Sequence, residues 1–292
     1  MSRSVKIISL SILFFLGLIL LSSKIIKPDK GLISPFPLSF LPTSNLKLLA
    51  EASFKDFDGK YSLVIKNLKT GESARINETE VLGSASLYKL WVMAIIYDKI
   101  SKGEMQEDDQ IEGDVADINR KFDIDEEDAE LTEGHLQYTV KSAIEQMITI
   151  SHNYAALLLL TKSGNSQINE FVKNLGLTNS RMTVPPKTTA SDIALFYELL
   201  YKHQLINPET SQKMIEILKK QQLNDRLGKY LPEGTVFAHK TGNLDLTEND
   251  AGIVYSSSGD YIIVVLTESD APLEAREKMA ELSKAVFEYF NK

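Results

Sequence analysis

Two side chains that could do chemistry together, Ser86 and Lys89, lie where small residues give way to an apolar helical run. Three residues along a helix is just under one turn, so the lysine amine falls on the same side as the serine hydroxyl. A buried lysine with a depressed pKa can accept the serine proton, and the N–H groups of a helix N-terminus can stabilise an oxyanion. The pair therefore predicts a nucleophilic serine; the alternative is that Ser86 only caps a helix whose Lys89 points to solvent.

A second polar group, Ser151-His152-Asn153, interrupts two apolar helical segments. Polar side chains between two core helices need hydrogen-bond partners, because burying them alone is unfavourable. This tripeptide is a candidate second part of a site. The alternative is an N-cap, with Ser151 or Asn153 starting the next helix.

A third group, Lys240-Thr241-Gly242, stands at the end of a predicted strand. The lysine and the hydroxyl could hold a substrate carboxylate, and the glycine would let a substrate approach the backbone. The same K-[ST]-G pattern recurs at residues 69–71 and 162–164. The first copy lies in a predicted hairpin turn and the second at a predicted helix end, so only Lys240 combines a strand with a position after the other two groups.

The elements that must position these groups follow from hydrophobic periodicity. Helices are predicted at residues 46–54, 86–102, 140–150, 154–162, 166–175, 191–201, 208–221 and 272–290, and strands at 61–66, 73–77, 235–240, 252–256 and 261–267. Strands from both chain ends, with helices between and after them, predict an α+β fold. In it an antiparallel sheet built from both chain ends packs with helices and carries an inserted all-helical region.

The N-terminus carries a targeting pattern, in which Arg3 and Lys6 precede an apolar run over residues 7–21. We expect residues 1–23 to be a signal peptide or a membrane anchor, which would place the protein outside the cytoplasm. Residues 24–45 contain four prolines and are predicted to form a linker. The folded domain is then expected over residues 46–292.

Composition excludes several functions. A net charge of −8 argues against a nucleic-acid-binding protein, because such proteins neutralise phosphates with clustered Lys and Arg. The chain has no cysteine, which removes disulfides, thiolate nucleophiles and Cys-ligated metals. The acidic stretch at residues 107–133 is predicted to be a solvated surface, with the alternative that it forms one wall of a cleft.

The order of the three groups is what carries a resemblance. S-x-x-K on a helix start, then S-x-N between helices, then K-T-G on a returning strand resembles the class A β-lactamase and penicillin-recognising serine hydrolase family. The resemblance covers roughly residues 46–292 and implies a β-lactamase/transpeptidase-like fold. It implies no metal and no organic cofactor, and we expect a monomer.

The resemblance implies a role for each of these residues. Ser86 would attack a lactam or peptide carbonyl with Lys89 as the base in acylation, and Ser151 and Lys240 would relay the proton to the leaving nitrogen. The remaining roles are an oxyanion hole from the backbone N–H groups of Ser86 and Asn243, and substrate binding by Asn153, Thr241 and Gly242.

The chain departs from the family pattern at three places. His152 replaces the aspartate of S-D-N, and no arginine follows Lys240 on the next strand. Residues 178–187, where class A enzymes supply the glutamate that activates the deacylating water, contain no acid. The expected function is a class A β-lactamase-like hydrolase; a D-Ala-D-Ala peptidase inhibited by lactams, acting on peptidoglycan stem peptides, stays open. An anchored, non-catalytic binding protein is the alternative from another class.

Overall fold

The secondary structure is given for residues 44–292, the part of the chain that the computed structural model describes. The strands are β1 (Lys60–Asn67), β2 (Ser73–Ile76), β3 (Leu82–Gly83), β4 (Gln110–Asp114), β5 (His135–Thr139), β6 (Lys187–Thr188), β7 (Phe237–Leu244), β8 (Thr247–Val254) and β9 (Tyr261–Glu268). The α-helices are α1 (Asn45–Ser53), α2 (Lys89–Ser101), α3 (Val115–Lys121), α4 (Val140–Thr149), α5 (Asn153–Ser163), α6 (Asn165–Asn174), α7 (Ala190–Tyr201), α8 (Pro208–Leu218) and α9 (Pro272–Phe290). A 3-10 helix, Ala85–Tyr88, precedes α2.

The central sheet is built from strands at both ends of the chain, in the order β2-β1-β9-β8-β7, with antiparallel neighbours throughout. Strand β9 is apolar along most of its length because both of its faces are covered. Ile263 and Val265 pack in the cluster that includes residues of α1 and α9, whereas Ile262 and Val264 pack against the helical region. The predicted α+β fold is confirmed.

Helix α2 brings the Lys89 side chain into the protein interior. Every residue from Lys89 to Tyr97 is buried, as expected for a helix that is apolar on nearly all sides. The helix contacts α5, α6, α8 and α4, so it forms the centre of the helical region. A lysine at its first position therefore has little access to water.

The structure differs from the predicted elements at the places nearest to the candidate site. The helix predicted from residue 86 begins at Lys89, and Ser86 lies in the preceding 3-10 helix. Strand β7 continues past Lys240 to Leu244, so K-T-G is inside the strand rather than at its end. Strand β8 begins at Thr247 instead of residue 252. The sequence pattern missed its first four residues because they are polar yet buried and show no apolar alternation.

The acidic stretch at residues 107–133 contains regular secondary structure and buried core residues in addition to its exposed acidic side chains. It contains β4 and α3, and β4 pairs with β5. Ile111, Val115 and Ile118 of this stretch are buried in the helical core. The many acidic residues around them hid this apolar pattern.

The predicted targeting segment, residues 1–23, and nearly all of the predicted linker lie outside the described residues. Helix α1 begins at Asn45, where the Ser44 hydroxyl caps it by accepting the Lys47 N–H at 3.2 Å. Across residues 44–292, no helix is both long and apolar enough to cross a membrane.

Candidate active site

The segment that carries Ser86 is held on both sides. The Ser84 N–H donates to Pro186 O at 2.9 Å, and the Asn249 side-chain amide donates to Gly83 O at 2.9 Å and to Ser84 O at 3.1 Å. Ser86 itself is half-buried. These bonds fix the serine between the loop before β6 and strand β8.

Backbone strain marks two positions of the site. Ala85 has φ +42° and Ser151 has φ +60°, a region that non-glycine residues rarely adopt. Such conformations are unfavourable by about 1–3 kcal/mol each and persist where the surrounding structure enforces them. One of them sets the direction of the chain just before Ser86, and the other sets the position of the Ser151 side chain.

Lys89 is fully buried and all three of its ammonium hydrogens have acceptors. Its Nζ donates to Ser151 O at 2.6 Å, to Ser151 Oγ at 3.2 Å and to Asn153 Oδ1 at 2.6 Å. Burial lowers the pKa of Lys89 to about 7, while the carboxylate of Glu130 opposes that shift. The amine can thus gain and lose a proton near neutral pH.

Lys240 reaches the same hydroxyl from the sheet. Its Nζ donates to Ser151 Oγ at 3.0 Å and to Thr241 O at 2.7 Å. Burial, and next the charge of Lys89, hold the pKa of Lys240 well below its usual range, against an opposing effect of Asp250. Ser151 Oγ therefore lies between two lysine amines whose ammonium forms are both destabilised, which makes it a short path for a proton.

Strand β7 passes close to the nucleophile segment at Gly242. A Cβ atom on this residue would stand 3.1 Å from both Ser84 O and Ser86 N. We expected this glycine to admit a substrate, but the close neighbour is the backbone around Ser86. The contact brings the Ser86 amide beside the strand that contains Asn243, and Thr241 is buried next to them.

Replacing Gly242 with alanine should therefore impair the site more than the fold. Backbone atoms at 3.1 Å cannot move as freely as side-chain ends, and overpacking of this kind destabilises a protein by about 1–3 kcal/mol. We expect a rate of covalent labelling by penicillins at least about tenfold lower, since small displacements of reacting groups have large effects on rate. Labelling rate and thermal unfolding should be measured together.

Gly113→Ala is the matched control, because the three atoms nearest to its Cβ would belong to the side chains of Leu158 and Ile118 rather than to the backbone. Equal labelling rates for the two alanine variants would show that the Gly242 contact does not shape the site.

A cleft of about 410 Å³ opens in front of these groups. Four residues predicted for the site line it: Ser86, Ser151, Asn153 and Asn243. The buried Lys89 and Lys240 contact the cleft residues through hydrogen bonds to Ser151 and Asn153. The rest of the wall is Ala85, Tyr88, Glu130, Ile150, Pro186, Leu223 and Leu244.

Glu130 is the site residue that the sequence motifs missed. Asn153 Nδ2 donates to Glu130 Oε1 at 2.5 Å, and within residues 44–292 Glu130 is the only carboxylate lining this cleft. The only available signal was the acidic stretch, for which a role as a cleft wall was the alternative interpretation. Glu130 is an exposed residue that also forms part of the cleft wall, so both interpretations of the stretch apply to it.

Two residues relevant to the departures from the family motifs have structural partners of their own. His152 caps α5, its Nδ1 accepting the Ala155 N–H at 3.2 Å, and its ring meets the Tyr138 ring edge-on. Arg226 approaches from the loop before β7, but its guanidinium is buried and donates to Glu248 Oε2 at 2.6 and 2.8 Å. It is thus engaged by a buried carboxylate.

The loop at residues 178–187 contributes to the cleft without an acid. Its Pro186 lines the cleft beside Ser86, and no carboxylate exists anywhere in the loop. The loop therefore does not supply the glutamate that the resemblance to class A enzymes implies at this place.

Comparisons with known proteins show the family to which the chain belongs. The model of a family described as "Beta-lactamase enzyme family" matches residues 45–290. Beta-lactamase VEB-1 of Pseudomonas aeruginosa is 22% identical to this chain, covering 85% of it and 91% of that protein.

Solved structures share the fold. A β-lactamase from Sphaerobacter thermophilus superposes with a TM-score of 0.74 and 24% identity, over 84% of this chain and 97% of that one. A point mutant of PBP-A, solved as an acyl-enzyme complex with penicillin G, gives a TM-score of 0.74 and 20% identity, over 84% and 96%.

Proposed function

Because this chain belongs to the beta-lactamase enzyme family, we propose that it is a serine hydrolase that forms an acyl-enzyme on Ser86 and opens the amide of β-lactams. The observation that carries the proposal is the position of Ser151 Oγ, 3.2 Å from the Lys89 amine and 3.0 Å from the Lys240 amine. Two buried amines around one hydroxyl supply the base and the proton path that an activated serine needs.

Acylation begins with the neutral Lys89 amine. It takes the proton from Ser86 Oγ as this oxygen attacks the lactam carbonyl carbon, and the carbonyl oxygen becomes an oxyanion held by the N–H groups of Ser86 and Asn243. The C–N bond then breaks and the nitrogen takes a proton from the Ser151 hydroxyl. The Lys240 ammonium returns a proton to Ser151, and proton transfer from Lys89 through Ser151 restores Lys240.

Substrate binding uses the remaining residues of the cleft together with Lys240 and Thr241, which are buried. Lys240 and Thr241 attract the substrate carboxylate, and Asn153 orients both Lys89 and the substrate amide. Ile150, Leu223 and Leu244 are each 38–46% exposed at the cleft and offer an apolar surface to the acyl side chain. The substrate is a small β-lactam bound by a monomer without metal or organic cofactor.

A second candidate function is a D-Ala-D-Ala peptidase that β-lactams only inhibit. The specific observation in its favour is the loop at residues 178–187, which brings Pro186 and no carboxylate to the cleft. An acyl-enzyme without a water-activating base persists, which is how a penicillin target behaves. A mutant of PBP-A, similar in fold, was solved as a penicillin G acyl-enzyme, and stem peptides would then be the natural substrates.

The location follows from the same chemistry. Peptidoglycan lies outside the cytoplasm and β-lactams act on its synthesis there, and residues 1–23 would export the chain or anchor it at that location. This proposal can be checked by protease accessibility in intact cells.

A chromogenic cephalosporin distinguishes the two functions. The purified full chain is mixed with the cephalosporin, and released colour and intact mass are followed over time. Sustained turnover identifies a β-lactamase, whereas one equivalent of colour with a persistent adduct identifies a peptidase. If neither colour nor an adduct appeared, that result would contradict the proposal and favour a non-catalytic binding protein.

The pH dependence of acylation should report Lys89. Only the neutral amine accepts the serine proton, and the pKa of Lys89 is lowered by burial to about 7. The rate of acylation is therefore expected to rise with pH and to level off above an apparent pKa of about 7. Stopped-flow labelling between pH 5 and 9 measures this; a rate that falls with pH through this range would contradict the assignment of Lys89 as the base.

A further inference from the structure

We propose that Glu130 is a positioning residue of this site: its carboxylate fixes the orientation of the Asn153 amide and places a negative charge beside the buried Lys89 amine. The inference rests on the proposed function for its catalytic meaning. Glu130 lines the same cleft as Pro186 of the loop at residues 178–187, but it lies in a stretch of the chain with no recognisable motif.

The Asn153 amide lies between two partners of opposite hydrogen-bonding character. Its Oδ1 accepts from Lys89 Nζ at 2.6 Å, and its Nδ2 donates to Glu130 Oε1 at 2.5 Å. An ammonium can only donate and a carboxylate can only accept, so a flipped amide would lose both bonds. The second N–H of Nδ2 stays available for a substrate amide carbonyl.

The backbone next to Glu130 is tied to the helix that carries Asn153. Leu131 O accepts from Tyr154 Oη at 2.7 Å and from Asn119 Nδ2 at 2.8 Å, and the Leu131 N–H donates to Tyr154 Oη at 3.2 Å. Tyr154 follows Asn153 directly on α5 and is buried. The glutamate and its asparagine partner are thus held to one another by the fold, as expected for groups that support reacting residues.

The negative charge of Glu130 affects the pKa of Lys89. The titratable groups whose charges interact with Lys89 are Glu130, Lys240 from β7 and His152 from the turn before α5, and the Tyr88 phenol interacts with Glu130. Glu130 is the one carboxylate among them and raises the pKa of Lys89 against the larger effect of burial. Without it, the Lys89 ammonium would lose protons at lower pH.

The test measures the pKa of Lys89 directly, without any substrate. The full chain is labelled with ¹³C at lysine Cε and titrated by NMR, with Lys89 assigned by its absence in Lys89→Met. In Glu130→Gln the amide oxygen can still accept from Asn153 Nδ2 while the charge is gone. The pKa of Lys89 is expected to fall by about 1 pH unit, the lower end of the shift caused by a nearby opposite charge.

Glu133→Gln is the matched control, since it removes an equal charge from an exposed residue of the same stretch that does not line the cleft. An unchanged Lys89 pKa in Glu130→Gln, or equal shifts in both variants, would overturn the proposal. If wild type is acylated, the ascending limb of its rate profile should move to lower pH in Glu130→Gln alone. If wild type is not acylated, the proposed function fails, whereas the titration still decides the role of Glu130.

Discussion

Replacing Ser86 with alanine is expected to abolish covalent labelling by penicillins and to leave the fold intact. The change removes a single oxygen from a half-buried residue, so thermal unfolding should be nearly unchanged. Loss of the nucleophile removes the acyl-enzyme entirely, and enzymes that lose such a group fall by about a millionfold in turnover. Labelling with a fluorescent penicillin, read by gel and by intact mass, measures the effect.

The control is Ser101→Ala, at the far end of α2, where the hydroxyl donates to Asp98 O. It should label at the wild-type rate. Undiminished labelling of the Ser86 variant would place the nucleophile elsewhere and contradict the site assignment.

Replacing Lys89 with methionine is expected to slow acylation by about 10²–10⁴-fold, the range ascribed to general base catalysis. Methionine keeps much of the length of the side chain but cannot accept a proton. The buried amine is unfavourable to the fold, as its lowered pKa indicates, so the free energy of unfolding should not fall strongly. Single-turnover acylation rates at pH 8 give the comparison, and urea unfolding gives the stability.

Lys99→Met on the same helix is its control, because that amine pairs with Glu104 at 3.4 Å and Lys99 does not line the cleft. A Lys89 variant that acylates within about threefold of the wild-type rate would lose less than the range ascribed to general base catalysis. That result would contradict the role of Lys89 as the base and leave Ser151 and Lys240 to accept and relay the proton.

The order of the three motifs, through the family resemblance, predicted the fold and that Lys89, Ser151 and Lys240 come together. Lys89, Ser151 and Lys240 are separated by 62 and 89 residues in the chain, yet their side chains are hydrogen-bonded. No local pattern contains such long-range contacts. They were predicted only because the family resemblance supplied the way in which the motifs come together.

The parts that could not be predicted are those where polar residues are buried. Glu248, Asn249 and Asp250 follow Thr247 in the first half of β8, and each is buried with a polar partner, so the strand has no apolar alternation there. Glu130 was hidden among other acidic residues, because nothing in its neighbours indicates that Tyr154 anchors the adjacent Leu131. Ala85 and Ser151 also gave no sign of their positive φ, since neither residue type favours it.

Peptide mapping after a brief exposure to benzylpenicillin tests the central claim most directly. The full chain is quenched in acid within the first turnover, digested and analysed by mass spectrometry, so that both a short-lived and a persistent adduct are captured. We expect one penicilloyl group per chain, on the peptide that contains Ser86. An adduct on a different residue, or none together with no hydrolysis of the drug, would contradict the assignment of Ser86 as the acylated nucleophile.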